Sequence, residues 1–196
     1  MSEITPDDVL AFWFQEASPD QWFGGGAAFD ATVRRRFSKL VFALTDLKSM
    51  DGHPWLDGPE RALALILALD QFPRNIWRGT PKAFSLDPLG LEAARRALEA
   101  GWDLELDEAK RAFVYMPFMH SEALADQELC VSLSETRISE TSDTAHHARE
   151  HRDVIARFGR FPHRNRTLDR PSTASEIAFL SAGGYNPGAP DPANSA

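Results

Sequence analysis

The residues best suited to chemistry are concentrated in the stretch RFGRFPHRN, which runs from Arg157 to Asn165. Arginines and a histidine are interleaved there with phenylalanines, a glycine and a proline. A solvated loop does not need the aromatic rings, and a hydrophobic core does not accept unpaired charges. Because guanidinium groups bind carboxylates and phosphates through paired hydrogen bonds, we expect these arginines to meet acids on other helices or on a ligand. The acids expected on other helices are Asp70, Glu122 and Asp126. Its candidate binding residues are Arg157, Arg160, His163, Arg164 and Asn165.

A second candidate is Asp70, which follows the most hydrophobic segment of the chain, ALALILALD. On a helix it shares the inward stripe of Ile66, and a buried carboxylate requires a partner. Arg74 lies four residues later, although Pro73 interrupts regular helix between them, and Arg78 and the arginines of 157–166 are alternative partners. The pattern predicts either a buried ion pair between helices or one wall of a binding site.

A third group follows Pro117 in the segment FMHSEALADQ. His120 and Gln127 share one helical stripe, whereas Glu122 and Asp126 share another. Two carboxylates at this spacing can hold an arginine or a divalent cation, share a proton, or form an ordinary exposed acidic edge. The group provides candidates for acid–base chemistry.

His151 is the last catalytic candidate, beside His120, Glu122 and Asp126. It lies four residues after His147, a spacing that binds zinc in H-E-x-x-H helices, but the glutamate of that motif is missing. We expect His151 to be hydrogen-bonded inside the fold or to stand at a pocket wall. The sequence predicts no metal site and indicates no particular cofactor.

The elements that must position these residues are helices. Thr5 and Ser142 are typical helix N-caps, Thr173 has capping-box spacing to a glutamate, and Gly159 is a typical helix stop. The segment from Asp107 to Glu135 is predicted to be one long helix that is broken or kinked at Pro117. No convincing alternating strand is present. We predict an all-α bundle of about seven or eight helices without a sheet.

Length and composition set the limits on function. The 196 residues favour a single domain over 1–183, followed by a disordered tail over 184–196. The net charge of −8 argues against sequence-independent nucleic-acid binding. The lone Cys130 excludes an intramolecular disulfide, and its apolar neighbours predict an inert buried thiol. The N-terminus lacks signal-peptide features and the longest apolar run is too short for a membrane span, so we expect a cytoplasmic protein.

Three long blocks carry a family resemblance: LILALDQFPRNIWRGTPKAFSLDP, FVYMPFMHSEALADQ and HRDVIARFGRFPHRNRTLDRPST. In this order they resemble the DUF924 family of uncharacterised bacterial proteins, and the likeness extends over residues 6–181. The resemblance implies an all-helical, tetratricopeptide-like (TPR-like) fold, but it brings no catalytic residue or substrate. One departure is Asp169, since the family usually has LGR where this chain has LDR.

Three functional hypotheses follow. In the first, the candidate arginines, histidines and carboxylates form a site that binds, or binds and hydrolyses, an anionic small molecule. In the second, the chain is a non-catalytic module that binds a protein or peptide. In the third, the charges form a structural ion-pair network. The observation that separates the first from the third is whether Arg74, Arg160 and Arg164 have free hydrogen-bonding edges or are saturated by carboxylates.

Overall fold

The computed structural model describes residues 4–185, and over this range the protein is all-helical, as predicted. With α4 and α5 counted as one interrupted helix, the described residues form nine helices, against the predicted seven or eight. The difference includes α2, a short helix that the sequence analysis missed. The predicted tail lies, from residue 186 onward, outside the described residues. The helices are α1 (Pro6–Ala11), α2 (Pro19–Gly24), α3 (Ala27–Leu44), α4 (Pro59–Ile66), α5 (Phe72–Ile76), α6 (Asp87–Glu99), α7 (Glu108–His120), α8 (Leu124–Ser134), α9 (Asp143–Phe158) and α10 (Ala174–Ser181).

The hydrophobic segment 62–69 forms the centre of the fold, where every residue is buried. Helix α4 continues through a π-helical turn, Leu67–Gln71, into α5, and packs against α1, α6 and α7. A helix that is apolar on all sides can satisfy its surface only when other helices surround it. This placement carries Asp70 into the interior.

The predicted helix ends are confirmed where a local hydrogen bond defines them. Thr5 and Thr173 form capping boxes, and the Ser142 hydroxyl accepts a hydrogen bond from the amide of Ala145. Gly159 ends α9 with a φ of 67°, in the left-handed region that glycine adopts without strain.

Of the two alternatives predicted at Pro117, a break or a kink, the break is wrong. Pro117 lies inside α7, which runs on to His120, and the chain becomes extended at Ser121 before α8 begins. The reason is a tertiary cap: the buried Gln127 side-chain amide donates to the carbonyls of Met119 and Ser121, at 2.6 Å each. These bonds satisfy backbone acceptors that would otherwise be orphaned where the helix ends. The two helices are therefore separate, and they meet at Gln127.

Asp169, the departure from the family pattern, adopts a φ of 53°. A left-handed backbone is what glycine supplies at no steric cost, and aspartate is among the few other residues that tolerate it. The turn therefore keeps a glycine-like conformation although the residue differs.

The aromatic side chains serve mainly to pack the core. Trp13 is fully buried among Phe12, Phe72 and Phe113, and Trp22 stacks on it at a centroid distance of 6.4 Å. Within residues 4–185, no helix combines the length and the hydropathy needed to cross a bilayer.

Candidate functional site

Five polar residues from four parts of the chain form a closed ring of contacts, which we call the polar ring. His120 Nδ1 lies 2.7 Å from Asp70 Oδ1, and Asp70 Oδ1 lies 3.4 Å from Arg74 Nη1. Arg74 binds Asp87 through two hydrogen bonds, at 2.9 and 3.1 Å. Asp87 Oδ2 lies 3.7 Å from Arg164 Nη1, which donates to the His120 carbonyl at 3.1 Å. The ring thus joins the π-helical turn and α5, the start of α6, the end of α7 and the turn after α9.

Asp70 is the buried anion of the polar ring, with 1% of its side chain exposed. Burial alone would raise the pKa of Asp70, but Arg74 and His120 together hold it well below its usual range. The carboxylate is therefore ionised, as the predicted pairing with Arg74 requires. Since an ionised carboxylate accepts hydrogen bonds, it fixes the proton of His120 on Nδ1.

Arg164 is held between two aromatic rings. Its guanidinium carbon lies 4.7 Å from the centroid of Phe84 and 4.5 Å from that of Phe161. Both contacts are cation–π interactions, which stabilise a desolvated guanidinium and hold its plane in one orientation. Burial and the nearby Arg74 lower the pKa of Arg164 to about 10, so the positive charge is not fully offset by its protein surroundings.

One edge of the Arg164 guanidinium has no partner among the described residues. Nη1 makes the contacts with His120 and Asp87, whereas Nε is buried without a hydrogen bond and Nη2 makes none. A buried donor without an acceptor costs free energy, which a ligand or an ordered water can recover. This edge has the geometry that binds a carboxylate or phosphate with two parallel bonds.

Three histidines lie around the ring, and each has a lowered pKa. Burial is the largest cause for all three: it brings the pKa of His151 to about 3 and that of His163 to about 4, and it lowers that of His120 with help from Arg74. The rings of His120 and His151 have centroids 6.3 Å apart. All three imidazoles are therefore neutral at pH 7, and each has one unprotonated nitrogen that can accept a hydrogen bond.

His151 is hydrogen-bonded inside the fold, as one sequence interpretation proposed. Its Nδ1 lies 2.8 Å from the His147 carbonyl, so it donates there. The Tyr185 ring packs edge-on against it at 4.8 Å, and the Tyr185 hydroxyl lies 3.2 Å from His147 Nδ1. His163 packs on Phe161, and its buried Nδ1 has no partner in the described chain.

Two of the remaining candidate arginines, Arg78 and Arg160, are occupied by carboxylates. Arg78 binds Asp30 through Nε and Nη2, at 2.6 and 2.9 Å, and Arg160 binds Glu176 in the same manner, at 2.6 and 2.8 Å. Arg157 is exposed and lies over the ring of Phe158 rather than reaching an acid. These three side chains are not brought to the polar ring.

The acidic candidates also have partners other than those expected. Glu122 binds Arg170 through both oxygens, at 2.7 and 3.0 Å, and accepts the Phe161 amide at 2.8 Å. Asp126 accepts hydrogen bonds from Arg95 and from Ser121. The expectation that Glu122 and Asp126 pair with arginines of 157–164 is therefore wrong, because those arginines face different helices.

Asn165 is fully buried at the base of the same turn. Its side chain donates to Ser172 and accepts from Arg170, both at 3.1 Å. The bond to Arg170 ties this asparagine to the Glu122 pair, so Asn165 supports the turn that carries Arg164. It does not itself reach the ring.

Sequence reasoning missed Asp87, Arg170 and Glu176. Asp87 was not among the candidate residues, but it is the first residue of α6, and its carboxylate binds Arg74. Its position could have indicated this role, because Asp87 belongs to the block LILALDQFPRNIWRGTPKAFSLDP, which also contains Arg74 and Arg78. Glu176 was recognised only as a capping-box residue, although its 2% exposure shows that it also needs a cationic partner.

Two surface cavities lie away from the polar ring. One of about 370 Å³ is lined by residues that include Met50, His53 and Trp102. The other, of about 240 Å³, is lined by residues that include Phe12 and Gln21. Neither includes a ring member, and within the ring the side chains of His120, Arg74 and Asp87 keep 16%, 18% and 20% of their surface exposed. Among residues 4–185, no three histidine, cysteine or acidic side chains are grouped so as to hold a metal ion.

The fold and the polar ring define a class: an all-helical protein with a buried network of arginine, carboxylate and histidine side chains at the meeting point of its helices. Over residues 9–184 the chain matches the family described as "Bacterial protein of unknown function (DUF924)", and it belongs to that family. It is similar to a solved protein of unknown function from Agrobacterium tumefaciens, with 43% identity and a TM-score of 0.83, covering 91% of this chain and 97% of the other. No curated protein matches the chain.

Proposed function

We propose that the protein binds a small molecule bearing a carboxylate or phosphate group, and that Arg164 is the residue that binds it. The observation that carries this proposal is the Nε/Nη2 edge of a guanidinium held between Phe84 and Phe161, an edge that no residue of 4–185 contacts by a hydrogen bond. A guanidinium fixed in orientation before binding loses little conformational freedom when the anion arrives.

The contrast with the other arginines supports the choice of Arg164. Arg74, Arg78 and Arg160 each donate two hydrogen bonds to one carboxylate, so an anion would have to displace an existing acid. Arg164 has only a 3.7 Å approach to Asp87. Burial lowers the pKa of Arg164, which means that its positive charge is poorly stabilised in the protein. A bound anion would stabilise that charge, and this stabilisation would add to the affinity.

The histidines beside Arg164 supply the chemistry that a binding module alone would not need. His120 offers its Nε2 while Asp70 holds Nδ1, which is the arrangement of an oriented proton acceptor. Proton transfer or hydrolysis on the bound anion is the reaction class that suits these groups. A TPR-like protein- or peptide-binding role remains a separate hypothesis, without a specific contact in its favour.

The competing function is structural, and the saturated arginines favour it. If the network only fixes the fold, Arg164 is a packing residue whose charge is stabilised by two aromatic rings. The binding hypothesis and the structural hypothesis both predict that removing Arg164 destabilises the protein. Only the binding hypothesis predicts that anions raise the melting temperature and that this rise depends on the Nε/Nη2 edge of the Arg164 guanidinium.

The test is a thermal-shift and calorimetric titration with acetate, malonate, phosphate and sulfate. A ligand at 100 times its Kd stabilises the native state by about 2.7 kcal/mol. For a chain of this size that is a rise in Tm of roughly 5–11 °C. Arg164→Lys keeps the charge and removes the fork, so it should fold and lose most of the rise.

The matched control is Arg78→Lys, which makes the same change at an arginine whose fork is filled by Asp30. It should keep the full ligand-dependent rise in Tm. If none of the anions raises the Tm of the wild-type protein, or if both lysine variants respond alike, the proposal is wrong and the structural function stands.

A further inference from the structure

We propose that His120 is the proton carrier of this site: an anion that binds at Arg164 is bound together with a proton, which His120 accepts at Nε2. The inference rests on the proposed anion site and adds to it both a second binding residue and a dependence on pH. It also assigns the residue that would accept a proton from water or from the bound molecule during catalysis.

The first step of the argument is the tautomer. Asp70 is ionised and lies 2.7 Å from His120 Nδ1, so this nitrogen carries the proton and donates it to the carboxylate. Nε2 is then the basic nitrogen. It has no hydrogen-bond partner among the described residues, and the side chain keeps 16% of its surface exposed. Solvent or a ligand can therefore reach the position where a proton would be added.

The second step is the charge around the imidazole. The groups that face it from the packed elements are two cations, two anions and two neutral imidazoles: Arg74 and Arg164, Asp70 and Asp87, His151 and His163. Asp87 is shared between both arginines, and Glu122 is bound to Arg170. In the ligand-free protein these charges nearly cancel, so burial decides the outcome and the imidazole is neutral.

A bound anion changes that balance by one or two negative charges next to Arg164. The added negative charge favours the imidazolium form, whose charge is already matched on one side by Asp70. The pKa of His120 therefore rises on binding, from below its ordinary value toward or above it. Between the free and the bound pKa, binding takes up a proton, so the affinity increases as the pH falls. Complete coupling to one proton gives a tenfold change in affinity per pH unit.

The experiment is isothermal titration of sulfate into the full-length protein at pH 6 and pH 7, in buffers of different ionisation enthalpy. Sulfate has no proton of its own to exchange near neutral pH, so any buffer-dependent heat reports protons taken up by the protein. We expect a net proton uptake in the wild type that is larger at pH 6 than at pH 7, and none in His120→Gln.

The matched control is His146→Gln, the same substitution at a histidine whose side chain is 62% exposed. It should retain the proton uptake of the wild type. His120→Gln removes one partner of a buried aspartate and is therefore at risk of misfolding. A second measurement needs no variant: nitrogen-15 NMR of the wild-type imidazoles should show His120 protonated only on Nδ1 without sulfate and on both nitrogens with it.

The outcomes separate the two proposals. Sulfate binding without proton uptake, with His120 neutral in both spectra, overturns the proton-carrier role and leaves the anion site intact. The absence of any sulfate binding overturns the anion site and the coupled proton uptake together. Uptake that persists in His120→Gln assigns the proton to another group and also refutes the inference.

Discussion

Replacing Asp70 by asparagine tests whether the polar ring stabilises the fold. The side chain keeps its shape and loses its charge, so the effect reports electrostatics rather than packing. Asp70 is 1% exposed, lies 2.7 Å from His120 Nδ1 and 3.4 Å from Arg74 Nη1, and accepts a hydrogen bond from Gln71. An asparagine amide in the same place would point its N–H groups at side chains that are themselves hydrogen-bond donors, namely His120, Arg74 and Gln71.

The expected loss of unfolding free energy depends on the ion pair that Arg74 still makes with Asp87 after the substitution. Removing one partner of a buried ion pair costs about 3–5 kcal/mol of unfolding free energy. Arg74 keeps its two bonds to Asp87, so its charge is not left alone and the cost should lie near the lower end, at about 3 kcal/mol. At roughly 2–4 °C per kcal/mol for a chain of this length, Tm should fall by about 6–12 °C.

The assay is urea denaturation, with Asp57→Asn as the matched control. Asp57 pairs with Arg61 on the surface, with 54% of its side chain exposed, so that variant should lose about 0.5 kcal/mol or less. The pH dependence adds a second check. The folded pKa of Asp70 lies below the unfolded value, so its contribution is present above about pH 4 and is lost as the pH falls further.

The difference between the wild-type protein and Asp70→Asn should therefore shrink below about pH 4, because the wild type alone loses this contribution there. Two results would refute the reasoning. One is an Asp70→Asn cost no greater than that of Asp57→Asn. The other is a pair of stability curves that stay parallel from neutral to acid pH.

Three further predictions concern residues outside the ring. Burial raises the pKa of the Cys130 thiol to about 12, so a thiol reagent should fail to label the native protein and should label one thiol per chain in denaturant. Tyr115→Phe removes the 2.7 Å hydrogen bond to the buried Asp103, and urea denaturation should show a loss of about 1–2 kcal/mol. Gly184→Ala would place a methyl group 2.6 Å from the ring of Phe179, so a thermal melt should show a clearly lower Tm. Rapid labelling of native Cys130, an unchanged free energy of unfolding in the tyrosine variant, or an unchanged Tm in the alanine variant would each contradict the corresponding contact.

The local features of the helices were predictable because they depend on neighbours in the chain. The caps at Thr5, Ser142 and Thr173 and the stop at Gly159 are each decided within a few residues. The central position of α4 followed from its apolar residues on every side. The break after α7 was not predictable in this way, because the cap that ends it comes from Gln127 on the next helix.

The candidate site was predictable in composition but not in pairing. Asp70 and Arg74 were expected to pair across four residues, and they do. Arg160 was expected to reach an acid and does so, but the acid is Glu176, sixteen residues later. A sequence shows which side chains need partners, whereas the choice among several acids depends on which helix faces them.

The sequence by itself determined that the chain is helical, that its most apolar segment lies at the centre, and that its buried charges must be compensated. Those conclusions rest on periodicity and on the cost of desolvating an ion, both of which are local or general. Tertiary structure alone decided that Arg164 is buried with one edge that has no partner among residues 4–185. Phe161 lies three residues before Arg164, whereas Phe84 comes from a distant part of the chain, and the two rings neutralise no charge and accept no hydrogen bond from the guanidinium. The guanidinium is therefore held in place without being saturated by the described residues, and this combination requires Phe84 and the turn after α9 to meet in space.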